Sequence, residues 1–92
     1  MDRTVMRDLA RILLAGVRLE RFIGDDGRPT EACWERVAAG TMSSGERVLV
    51  ALAVALVDHQ TPAPPTVDRL LLLDRANLMR VARVLAALGS AL

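Results

Sequence analysis

The chain has no lysine and no tyrosine, one cysteine, one histidine, and only Trp34 and Phe22 as aromatics among its 92 residues. Each scarcity excludes something. Without lysine there is no ammonium for Schiff-base chemistry and no GxxxxGK[ST] loop to cradle a nucleotide phosphate. All twelve basic side chains are therefore arginine, a bias that a GC-rich coding sequence explains. Cys33 alone can form no intramolecular disulfide and no cysteine-based metal cluster, and it suits a reducing compartment. The longest apolar run, Val48 to Val57, is half of what a bilayer crossing needs. The N-terminal residues interleave Arg and Asp with apolar side chains, which is no secretory signal. These features predict a soluble, cytoplasmic protein without cofactor or metal.

The formal net charge of +1 makes no case for a dedicated nucleic-acid binder. The charge is uneven, however. Residues 1–24 carry five Arg against three acids, residues 25–60 three against six, and residues 61–92 four against two. An acidic middle between basic ends can complement itself. With few aromatics, Ala, Leu and Val supply the core, and that mixture favours helix.

Apolar residues recur at spacings of three and four throughout, with no strand alternation and no internal repeat. They predict an all-α protein, a compact bundle of four to five helices in a single domain spanning residues 1–92. The expected helices run over about 3–21, 31–39, 44–58, 67–73 and 75–88. Asp2, Thr30 and Asp74 are expected caps, and Gly40 and Gly89 expected stops. A stiff Pro-rich connector is expected over 61–66. Ser43-Ser44-Gly45-Glu46 spells a capping box for the third helix. In the second helix, Trp34, Val37 and Ala38 are expected to face the core.

The third helix is apolar all round. Leu49, Leu52 and Leu56 share one side, and Val50, Val54 and Val57 lie roughly opposite. That excess predicts self-association as a homodimer, with the Val50, Val54 and Val57 side meeting the second chain.

Met42-Ser43-Ser44-Gly45-Glu46 and, later, Leu70-Leu71-Leu72-Leu73-Asp74 resemble the signature loop and acidic strand of ATP-binding-cassette ATPases. The phosphate loop that family requires is missing, and Arg75 stands where its catalytic Glu would be. Helix capping accounts for both segments. The stretch from Ser43 to Arg47, with that from Leu73 to Leu78, also resembles small helical proteins of GC-rich actinobacteria and their phages. This resemblance implies a bacterial or phage origin and no activity.

His59 beside Asp58, with Cys33 or Ser43 as nucleophile, would be the only acid–base set, and no third orienting group accompanies it. An enzyme is not expected. Arg3, Arg7, Arg11, Arg18 and Arg21 fall on about a third of the first helix's circumference, with Leu14 among them. This stripe is the expected partner-binding face, and Glu at Arg7 and Arg11 is expected to leave folding intact. The expected function is a non-enzymatic protein-binding module, a regulator, adaptor or assembly factor. The alternative is a small DNA-associated regulator whose Arg stripe meets phosphates.

Overall fold

A computed structural model describes residues 2–58 and 67–91, and its helices begin where the sequence places caps. Asp2 accepts from the Thr4 amide at 3.0 Å and opens α1, Arg3–Ala15. Thr30 accepts from the Cys33 amide and opens α2, Glu31–Ala39, which Gly40 closes in the left-handed conformation. The capping box of α3, Ser44–Val57, is reciprocal: Ser43 Oγ accepts from the Glu46 amide, and Glu46 Oε1 accepts from the Ser43 amide, both at 3.2 Å. Such a cap is worth about 1 kcal/mol. A single turn, α4 (Val67–Leu70), precedes Asp74, which caps α5, Arg75–Ala91, by accepting from the Asn77 amide at 2.8 Å. The protein is all-α. The Pro-rich connector expected over 61–66 and His59 lie outside the described residues.

Three helix ends differ from expectation: α4 stops at Leu70, with turns over 71–73 where helix was expected to continue to 73. α1 stops at Ala15 rather than near residue 21. There the Leu19 amide donates to the Leu14 carbonyl at 3.0 Å and the Arg18 amide to the Ala15 carbonyl at 3.3 Å. This pair of bonds is a Schellman ending, whose left-handed position is usually glycine. Here Arg18 takes it, at φ 60°. A side chain in that conformation costs about 1–2 kcal/mol. Burial of Leu19 just beyond it helps to hold the turn. Arg18→Gly should therefore raise stability by about 0.5–1 kcal/mol, after the entropy glycine adds to the unfolded chain. A urea titration with an unmoved midpoint would mean that the Arg18 side chain contributes as much as its backbone costs. At the other end, α5 runs through Gly89 to Ala91, because Gly89 keeps a helical φ and is not a left-handed stop.

Between α1 and α2 the chain makes a 3-10 turn, Glu20–Phe22, and a small closed loop. Ile23 bridges Pro29, the Gly27 amide donates to Gly24, and Gly27 is left-handed at φ 77°. Phe22 and Ile23 are both buried and anchor this loop in the core.

α1 packs chiefly along α3 and then against α5. Gly16 permits the second contact. A Cβ there would overlap Asn77 Oδ1 and lie 2.9 Å from Arg80 Nε. Arg80 Nη1 in turn donates to the Ile12 carbonyl at 3.3 Å, supplying a partner for the last turn of α1. Leu13, Leu14, Phe22, Ile23, Cys33 and Leu49 are the largest fully buried side chains, and no polar residue is buried among the described ones.

The Val50, Val54 and Val57 side of α3 belongs to this core, at 3, 5 and 9 % exposure. It is not available to a second chain. The three valines share one buried cluster with Leu9, Ala10, Leu13 and Leu14 of α1 and with Leu73, and Leu70 of α4 packs against it. The excess apolar surface of α3 is thus largely covered within one chain. Ala51 is the only exposed residue between Val48 and Val57.

α2 also turns opposite to expectation. Cys33 alone is buried, while Trp34 is 45 % and Val37 43 % exposed and Ala38 also faces outward. The entry to the helix sets this orientation. The Thr30 amide donates to the Phe22 carbonyl at 2.8 Å, which pins the first turn and points Cys33 inward.

Candidate interaction surfaces

The five arginines expected to form one binding stripe are divided by the fold. Leu14, placed among them on the helical wheel, is wholly buried. Arg11 donates through Nε and Nη2 to the Ile23 carbonyl at 3.2 and 3.0 Å, and through Nη2 to Asp25 Oδ1 at 2.9 Å. Arg7 donates to the Asp25 carbonyl at 3.0 Å and pairs with Asp8. The two side chains clamp the 23–29 loop onto α1. The Arg11 hydrogen bond is the main cause that holds the Asp25 carboxyl below its usual range, although Asp25 itself stands in solvent. Arg3 is exposed, and a Cβ at Gly27 would lie 3.0 Å from its stem. Arg18 sits beyond the helix end, and Arg21 lies 5.9 Å from the Phe22 ring centroid. Three of the five, Arg3, Arg18 and Arg21, thus remain exposed.

Charge reversal at Arg11 is accordingly a structural change. A carboxylate there would face the Ile23 carbonyl and Asp25 and leave both without their donor. Arg11→Glu should cost about 2 kcal/mol, the usual worth of hydrogen bonds to a charged group. Thermal and urea unfolding would measure it, and wild-type stability would show that the clamp is idle.

A polar cleft of about 620 Å³ opens where the end of α1 meets the starts of α3 and α5, with Arg18, Ser43, Glu46, Asp74 and Asn77 on its walls. Two helix N-termini point to it, which would favour an anion. Each is already answered by its own cap, and two carboxylates share the space. Glu46 is held below its ordinary value by the Ser43 amide first, then by the Ser43 hydroxyl and, more weakly, by the Arg36 charge. The cleft is electrostatically mixed, and its Ser43 hydroxyl and Glu46 carboxylate are engaged in the α3 cap. Cys33 is turned away in the core, and burial raises its thiol pKa. Among the described residues no group of three His, Cys, Asp or Glu side chains is placed to hold a metal.

The other concavity is apolar. A groove of about 120 Å³ runs between α3 and α5, floored by Leu13 and walled by Leu52, Leu56, Val84, Leu85 and Leu88. Asn77, Val81, Val84 and Leu88 form the inward side of α5, a spacing that turns Leu78 and Leu85 toward the groove's rim. Leu85 is 53 % exposed, and Met79 on the outer side is 50 % exposed. α5 between Arg75 and Ala91 has no acidic residue; Arg75, Arg80 and Arg83 are its charges. The width of this apolar arc follows from the spacing of Leu78, Val81, Val84, Leu85 and Leu88. Its partner residues on α3 do not follow from spacing, because the wheel does not say which side of a wholly apolar helix faces outward.

No helix among the described residues is long and apolar enough to cross a membrane. No protein-family model, no curated protein and no solved structure matches the chain.

Proposed function

We propose that this is a protein-binding module, a small regulator, adaptor or assembly factor that works without catalysis through its helical surfaces. The groove between α3 and α5 carries the reading. Leu52, Leu56 and Leu88 are only partly covered there, and Leu85 stands at its edge more than half exposed. Scattered single apolar residues on a surface are ordinary, whereas a contiguous apolar groove is the form a binding site takes. A helix laid along it would fill the gap with its own apolar anchors. Self-association, if it occurs, uses this side of α3 and not the buried valines. The DNA-associated alternative has less to stand on, since Arg7 and Arg11 are engaged with the protein's own loop.

Affinity capture tests the reading. Wild type and Leu85→Glu, both immobilised, are exposed to lysate of the native host, and retained proteins are identified by mass spectrometry. A protein held by wild type and lost from Leu85→Glu is the expected outcome. Identical retained sets, or none, would remove the groove as the binding site. A complex that dissolves steeply with added salt would point to phosphate contacts instead.

A further inference from the structure

We draw no further inference here: the strongest candidate, the apolar groove between α3 and α5, has no charged side chain on its walls among the described residues, and nothing in the structure shows what covers it.

Discussion

Val54→Glu should unfold the chain, and Leu85→Glu should leave it folded. Val54 sits on the inner side of α3 at 5 % exposure, in a core without a buried polar partner. A carboxylate introduced there must be desolvated without a counter-charge, which costs about 4 kcal/mol or more even when the group takes up a proton. A domain of this length has roughly 5–14 kcal/mol in all. The change therefore removes much of the margin, and at neutral pH most of the helical dichroism should be lost by 37 °C. Leu85 gives the contrast, since a charge at its position reaches water by a rotamer change. If Val54→Glu were instead a folded monomer of ordinary stability, the side of α3 assigned here to the core would have to be a surface.

Phe22→Ala should be nearly as costly. Phe22 is 1 % exposed and is the one phenyl ring in a core built mainly of Leu, Val and Ala. Its removal forfeits transfer energy and leaves a cavity that small neighbours cannot close, for a loss of about 3–5 kcal/mol. The position also matters. The Phe22 carbonyl accepts the Thr30 amide that fixes α2, and the next residue, Ile23, holds the loop clamped by Arg11. With a urea slope of about 2 kcal/mol per M, the unfolding midpoint should fall by about 2 M. A shift under about 0.5 M would show that the core around the ring collapses freely, contrary to its packing.

The elements most legible in the sequence are those whose ends are marked by side-chain chemistry. Asp2, Thr30, Ser43 with Glu46, and Asp74 all cap the helices expected of them, because a short polar side chain followed by an apolar period has one common local use. The missed ending of α1 lacked such a mark. Arg18 has no intrinsic preference for the left-handed turn, and its conformation is imposed by the tertiary placement of Leu19. Orientation was the least legible property. Periodicity shows that α2 has an apolar side, yet the hydrogen bond from Thr30 to Phe22 turns that side outward. In the apolar stretch of α3, valines and leucines carry no difference that would say which of them is buried. The arginine stripe illustrates the same limit. A helical wheel places Arg7 and Arg11 on a common face with Arg3, but not the loop carbonyls of Ile23 and Asp25 that come back to meet them.

Cys33 is the one residue of α2 buried in the core, with Arg36 half-buried beside it and 3.8 Å from Glu46, so undocking of that helix and exposure of the thiol go together. Elements with few buried contacts open on their own, well below the free energy of global unfolding. Each time α2 lifts, the thiol leaves the environment that raises its pKa and regains the thiolate fraction of a free cysteine. The rate of alkylation by a neutral thiol reagent then reports how often the helix detaches, with no probe added to the chain. Amide exchange in residues 31–39 should follow the same clock, while that of the α1–α3 interface keeps a slower one.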